Sequence, residues 1–245
     1  MPAAPGPVVL IGLHAVKHAL RFGAVLDALL TSDRPAVLGL AAQVAPDLVD
    51  RLAASLRDTD PAELSRLAGG PADLVGLARR PAALAGWGPA PVVLLDTPRH
   101  LGNVGAVVRV AAGFGAGGVL TTGSVDPWHP AVVRAAAGLH FALPVHRGSV
   151  RELPPGRPVL AFDPAGADLR ATALPDDAVL AFGSERRGLS ADVRSRADVL
   201  VAIPMQDRVS SYNLATSVAV ALYAWTAHRP PPTAHRPPVT VEAPS

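Results

Sequence analysis

The chain contains no cysteine, so it can form no disulfide framework and offers no thiolate to a metal. Nor does it contain an apolar run long enough for a bilayer span, which needs about 20 consecutive apolar residues. Its hydrophobic share of 49% and mean hydropathy of +0.30 come mostly from Ala, Val and Leu, cut repeatedly by Gly, Pro and Arg. A soluble chain that spans no membrane is expected. The apolar stretch Val8–Leu13 lacks a basic segment before it and runs at once into His14, Lys17 and His18. That pattern argues against a secretory leader and for a buried strand entering a helix, with the cytoplasm as the expected compartment. Two nucleotide-site signatures are missing as well. No G-x-G-x-x-G follows an early strand and no G-x-x-x-x-G-K-[ST] occurs, which leaves a doubly wound cofactor domain without support. The histidines are scattered without ligand spacing, so no metal site is expected.

Lysine is nearly absent too: of the 22 basic residues, all but Lys17 are arginine. The formal net charge is only +2, yet the isoelectric point is about 9.6. Arginine matches phosphate bidentately better than lysine does, so the composition permits an RNA partner. A GC-rich codon usage that favours Arg, Ala, Gly and Pro would give the same surplus, and composition does not choose between them.

A length of 245 residues suits one or two domains. Over residues 8–40 the pattern predicts a strand at Val8–Ile11, a helix at Leu13–Arg21 and a strand at Val25–Leu30. Amphipathic helices are expected at Gln43–Leu56 and Pro61–Ala68, the second with Asp60 as N-cap and proline at its first position. The Pro- and Gly-rich stretch Pro81–Pro91 punctuates the chain, which places a first domain at 1–85, a linker at 86–91 and a second domain at 92–228. In the second domain apolar strands at Val92–Leu95, Gly118–Thr122, Val159–Phe162, Ala178–Phe182 and Val199–Ile203 alternate with helices. Those helices are expected at Val104–Phe114, Pro130–Leu139, Ala191–Ala197 and Leu214–Ala227. Continuous apolar strands between helices predict an α/β fold with a parallel sheet covered on both faces. The proline-rich residues 229–245 read as a disordered tail.

Three stretches then stand out, each an apolar run breaking into a glycine- and polar-rich loop: 94–109, 181–190 and 203–213. In an open α/β sheet such loops meet outside the C-terminal ends of the strands, where ligands bind. Each residue in them also has a plain structural reading. Gly102–Gly105 suits a turn into a helix, Glu185 an N-terminal helix charge, and Ser210 or Ser211 a helix cap. Arg109 is harder to place in that way, because it lies in a helix otherwise made of Val, Ala and Gly. Asn213, at the start of an apolar helix, is equally out of place. The joint occurrence, in this order, carries the functional reading.

In order and spacing the stretches resemble the three signature motifs of the SpoU/TrmH branch of the SPOUT RNA methyltransferases. The first motif's asparagine, glycine and arginine are matched by Asn103, Gly105 and Arg109. The second, a Gly-Ser-Glu loop before a Gly-Leu pair, is matched by Gly183, Ser184, Glu185, Gly188 and Leu189. The third, Ile-Pro-Met followed by Ser-Leu-Asn, is matched by Ile203, Pro204, Met205, Ser211 and Asn213. His129–Gly138 is similar to the family's intervening helix, and Gly12–Leu20 to the start of its small ribosomal-protein-like substrate-binding domain. The chain departs from the pattern at Tyr212, where leucine is usual, at Arg186, at Ala136 and at Arg99-His100.

The resemblance implies a SPOUT-type parallel sheet with a C-terminal trefoil knot, preceded by a small α/β RNA substrate-binding domain. It implies S-adenosylmethionine as cofactor, rRNA or tRNA as partner, methylation of a ribose 2′-hydroxyl, and a homodimer packed through the final helix, Leu214–Trp225. Arg109, Asn103, Glu185, Ser211 and Asn213 are the expected catalytic set; Gly183, Ile203, Met205, Tyr212 and Thr121 are expected to bind the cofactor. Arg109 is assigned to phosphate holding and charge stabilisation rather than to proton abstraction, since a guanidinium stays protonated in proteins. The alternative is a non-catalytic RNA-binding protein that keeps the knotted fold.

Overall fold

The computed structural model describes residues 6–81 and 86–227; the expected disordered tail and part of the Pro81–Pro91 stretch lie outside them. Val8–Ile11 (β1) passes directly into Gly12–Arg21 (α1), as the switch from apolar to basic residues predicts. Leu26–Thr31 (β2) is followed by a helix that periodicity did not reveal, Arg34–Val44 (α2). Its start is written in the sequence: Asp33 accepts a hydrogen bond from the Ala36 N–H at 2.9 Å, and Pro35 occupies the first turn.

The single helix expected over Gln43–Leu56 does not form. Pro46 has no N–H to donate and forces Ala45 out of the helical region, to φ −156°. Helix resumes at Val49–Ser55 (α3), and Leu56–Asp58 (β3) then joins the sheet. Pro61–Ala68 (α4) forms as expected, capped by Asp60 and stopped at Gly69 with φ 66°. Leu74–Ala78 (β4) completes a sheet of order β1-β4-β2-β3, in which β4 runs antiparallel to both its neighbours.

The second half runs Val92–Leu95 (β5), Leu101–Phe114 (α5), Gly118–Thr121 (β6), Pro130–Ala135 (α6) and Val145–Arg147 (β7). It continues through Val159–Asp168 (β8), Val179–Phe182 (β9), Ala191–Ser195 (α7), Val199–Ala202 (β10) and Leu214–Ala227 (α8). The sheet order is β10-β8-β9-β5-β6-β7 and every pairing is parallel. Central strands β5, β6 and β9 are buried along their whole length, the mark of a sheet covered on both faces. Two boundaries differ from expectation in ways that bear on the site. Helix α5 starts at Leu101, which puts Asn103 inside its first turn rather than before it. Helix α6 stops at Ala135, because Ala137 (φ 50°) and Gly138 (φ 72°) take left-handed conformations. A Cβ on Gly138 would stand 2.4 Å from the Ala15 carbonyl oxygen, so glycine is required where the two halves of the chain meet.

The halves share one continuous apolar core. His18 Nδ1–H donates to the Ala137 carbonyl at 2.9 Å, and Arg134 donates to the Ala68 carbonyl at 3.2 Å. Of the expected linker, Gly88 and Ala90 are held by the Arg157 guanidinium through their carbonyls, at 2.6 and 3.0 Å. The core also encloses His140. Its Nε2–H donates to the Pro127 carbonyl at 2.7 Å, its Nδ1 has no partner among the described residues, and its ring lies 4.9 Å from that of Trp128. Burial pushes its pKa down to about 4, against the opposing pull of the Pro127 hydrogen bond. Since the unfolded chain binds the proton near pH 6.5, the neutral ring favours folding fully above that pH. The contribution is lost as pH falls from about 6.5 through about 4, and is on the order of 3 kcal/mol. Denaturant melts of the wild type and of His140→Leu across this window should show a flatter pH slope in the variant; parallel slopes would remove His140 from acid lability.

Candidate active site

Because all strands of the large sheet run one way, the loops after β5, β9 and β10 leave from the same edge. They enclose a cavity of about 620 Å³. Three polar side chains, from the first turn of α5, the loop after β9 and the loop after β10, are joined there in a single hydrogen-bonded line. Asn103 Nδ2 donates to Glu185 Oε1 at 2.6 Å, and Asn213 Nδ2 donates to Asn103 Oδ1 at 3.1 Å. Asn213 Oδ1 in turn accepts the Ala215 N–H at 2.9 Å and so caps α8. The two asparagine amides thereby have their oxygen and nitrogen ends fixed by the network. Burial alone would raise the Glu185 carboxyl pKa. The Asn103 amide, nearby backbone N–H groups and His100 outweigh it and hold the group below the usual carboxylate range. Glu185 is therefore an anion, and its buried Oε2 has no hydrogen-bond partner among the described residues.

The Glu185 loop is locked by backbone. Ser184 and Gly188 exchange hydrogen bonds at 2.9 and 3.0 Å, closing a tight hairpin. At Gly183 an added Cβ would lie 2.1 Å from the Gly188 carbonyl carbon, so only glycine lets the two ends of the loop touch. The third loop is closed by the Tyr212 hydroxyl, which donates to the Pro204 carbonyl at 3.2 Å. The inner wall is apolar: Phe162 and Phe182 stack with ring centroids 4.4 Å apart and 9° between planes, beside Val201 and Ile203.

Of the ten residues singled out from sequence, eight line this cavity: Asn103, Gly183, Glu185, Ile203, Met205, Ser211, Tyr212 and Asn213. Two do not. Thr121 is fully buried at the end of β6, away from the cavity, and its hydroxyl has no partner among the described residues. Arg109 is exposed on α5, off the cavity wall, and its guanidinium makes no hydrogen bond or ion pair among the described residues. It stands six residues past Asn103 on the same helix, hence on a different face. Its neighbourhood is α1: burial first, then the charges of Lys17, His14 and Arg109, depress the pKa of His18.

Sequence reading passed over three contributors. Asp96, only 2% exposed at the end of β5, accepts from the Ser190 N–H at 2.6 Å and from the Thr122 hydroxyl at 3.0 Å. It ties the first loop to the second, and the available signal was an acid directly after a fully apolar strand. The Phe162–Phe182 stack and Asp163 belong to the wall as well. Phe182 and Phe162 end apolar runs that read only as core.

The model of the SpoU rRNA Methylase family matches residues 90–223. Over 138 residues the chain is 38% identical to a ribosomal RNA small subunit methyltransferase G 2 of Syntrophobacter fumaroxidans, covering 53% of this chain and 27% of that protein. Over 144 residues it is 31% identical to a 23S rRNA (uridine(2479)-2′-O)-methyltransferase of Streptomyces viridochromogenes, covering 54% and 50%. The crystal structure of the SpoU methyltransferase AviRb from Streptomyces viridochromogenes, in complex with AdoMet, superposes with a TM-score of 0.74. Identity there is 25%, with 91% of this chain and 90% of that one covered. The chain spans between 27% and 62% of the length of the first curated relatives it matches.

Proposed function

The chain belongs to the SpoU rRNA methylase family, whose model covers more than half of it, and from that premise we propose that it methylates a ribose 2′-hydroxyl of rRNA or tRNA. The observation that carries this reading is the line Glu185–Asn103–Asn213, which draws one side chain from each of three segments distant in sequence into one cavity. The methyl donor is S-adenosylmethionine, and the cavity suits it. A volume of about 620 Å³ lies in the range of cofactor sites, and the Phe162–Phe182 wall and Ile203 offer a slot for a flat base. The Glu185 carboxylate supplies negative charge to a cavity that must take a sulfonium and an ammonium, while Asp163 is already paired with Arg194.

The donor, when bound, supplies an electrophilic methyl group for in-line displacement. The protein's part is alignment and charge. Gly183 and Ile203 present backbone polar groups to the adenosine, with Met205 and Tyr212 at the outer wall. Glu185, held anionic, and Asn103, held in one rotamer by two partners, orient the loops around the reacting ribose. Ser211 and Asn213 fix the third loop against α8. Alignment of this kind contributes several kcal/mol to such a displacement, about 7 or more in well-oriented cases. Arg109 stabilises the charge that develops on the 2′-oxygen and holds a phosphate of the target.

Arg109 lies off the cavity of its own chain, so in this reading it serves a second copy. The outer face of α8 supports a homodimer: Val220 is 37% exposed and Tyr223 66%, and Val209 and Tyr212 of the third loop are exposed as well. The first domain (1–85) is the RNA-substrate domain, the loops after β9 and β10 form the trefoil knot, and the enzyme works in the cytoplasm. No helix among the described residues is long and apolar enough to cross a membrane.

Incubation with radiolabelled S-adenosylmethionine and separate pools of unmodified rRNA and tRNA tests the reading. Label in one pool, with resistance to alkaline cleavage after one nucleotide, is the expected result. Cofactor binding with no label in either pool would instead favour the non-catalytic RNA-binding protein.

A further inference from the structure

A second cavity, of about 520 Å³, lies on the other side of the Glu185 loop. Ser184, only 6% exposed, belongs to both walls, so the two cavities are separated by the thickness of one loop. The second cavity has a different chemistry from the first. Its lining contains two guanidinium groups, Arg99 and Arg187, the hydroxyls of Thr97 and Ser124, and no carboxylate. Neither guanidinium makes an ion pair or a side-chain hydrogen bond among the described residues. By contrast, Arg21, Arg66, Arg79, Arg170 and Arg194 are all matched to carboxylates. Asp96, the acid that ends β5 beside this cavity, is already committed to Ser190 and Thr122. A third cation, Arg147, donates to the Ser124 carbonyl at 3.3 Å and backs the same wall.

The cavity is also built rather than incidental. Thr97 takes φ +49°, a conformation that a β-branched residue adopts at a cost. It is kept there by the Thr122 hydroxyl, which accepts the Thr97 N–H at 2.8 Å, and by Gly123, whose φ of 81° brings it against Thr97. Two guanidinium groups without an ion pair among the described residues, on a polar cavity beside a site for a ribose, match the charge of a nucleic-acid backbone.

We infer that this cavity is a phosphate subsite, in which Arg99 and Arg187 hold the RNA backbone next to the nucleotide being methylated. The inference rests on the proposed methyl transfer to RNA and names a contact of that same site. It also gives a role to Arg99, one of the positions where the chain departs from the family pattern.

The test uses the full chain and a fluorescein-labelled single-stranded oligouridylate, titrated over a range of salt, with inorganic phosphate as competitor. Arg99→Gln combined with Arg187→Gln should weaken oligouridylate binding roughly tenfold or more. It should also flatten the slope of log affinity against log salt by about 0.7 for each phosphate no longer neutralised. S-adenosylmethionine affinity should stay at the wild-type value. The paired lysine substitutions should recover part of the affinity, and inorganic phosphate should compete in the wild type and not in the glutamine variant. Arg196→Gln, exposed and equally unpaired but remote from both cavities, controls for bulk charge. A double glutamine variant that behaves as Arg196→Gln overturns the subsite while leaving the RNA reading intact, as does phosphate competition without loss of RNA binding. A wild-type protein that binds no oligouridylate and labels no RNA pool overturns both.

Discussion

Gly183→Val is expected to lower S-adenosylmethionine affinity by about two orders of magnitude or more while most of the fold survives. The cause is steric and local. Any Cβ at this position would lie 2.1 Å from the Gly188 carbonyl carbon and 2.4 Å from the Leu189 nitrogen, both backbone atoms that no side-chain rotation can move aside. The Ser184–Gly188 hairpin must open, and with it moves the wall that Gly183, Ser184 and Glu185 present to the cavity. Forcing even a methylene into a packed interior costs about 1–3 kcal/mol, and a clash with backbone costs more. Calorimetric titration gives the affinity, and a thermal melt shows whether the sheet has survived. Unchanged affinity in a folded variant would remove this loop from the cofactor pocket. A variant that does not fold would pass the question to Ile203→Trp, which intrudes on the cavity from the end of β10, outside the Ser184–Gly188 hairpin.

This site was legible in sequence to an uneven degree, and the unevenness has a physical origin. Eight of its residues could be named because they lie in the three loop motifs that carry the resemblance, each standing where an apolar strand ends. What joins them could not be read. Asn103, Glu185 and Asn213 are 82 and 110 residues from one another along the network, and only the strand order β10-β8-β9-β5 brings them together. Thr121 was misplaced for the converse reason: it ends a strand of the same sheet, but on the far side of β5 from β9, and it points into packed core.

Fold boundaries went astray where a local stop outweighed periodicity. Pro46 broke a helix whose apolar spacing looked continuous. Ala137 and Gly138 ended α6 early, because the contact with Ala15 demands a left-handed turn there. The short strands β3 and β7 have three residues each, too few for any pattern to register.

Arg109→Ala is the companion prediction, with the opposite signature. Arg109 is exposed and bonded to nothing among the described residues, so its loss should leave folding and cofactor affinity nearly unchanged. Turnover should nevertheless fall by about 10²–10³, the usual effect of removing one donor that stabilises developing negative charge. Equal turnover would take Arg109 out of the chemistry. Because Arg109 faces away from the cavity of its own chain, the reading requires that each site borrow it from a second copy. Mixing settles that point. An Arg109→Ala protomer keeps an intact cofactor pocket, and a Gly183→Val protomer keeps an intact Arg109. If the two features come from different copies, the mixed dimer holds one complete site. Random reassortment should then restore about a quarter of the wild-type rate from two nearly inactive parents. If both features must lie in one copy, no mixed dimer contains a complete site, and the mixture stays as inactive as its components.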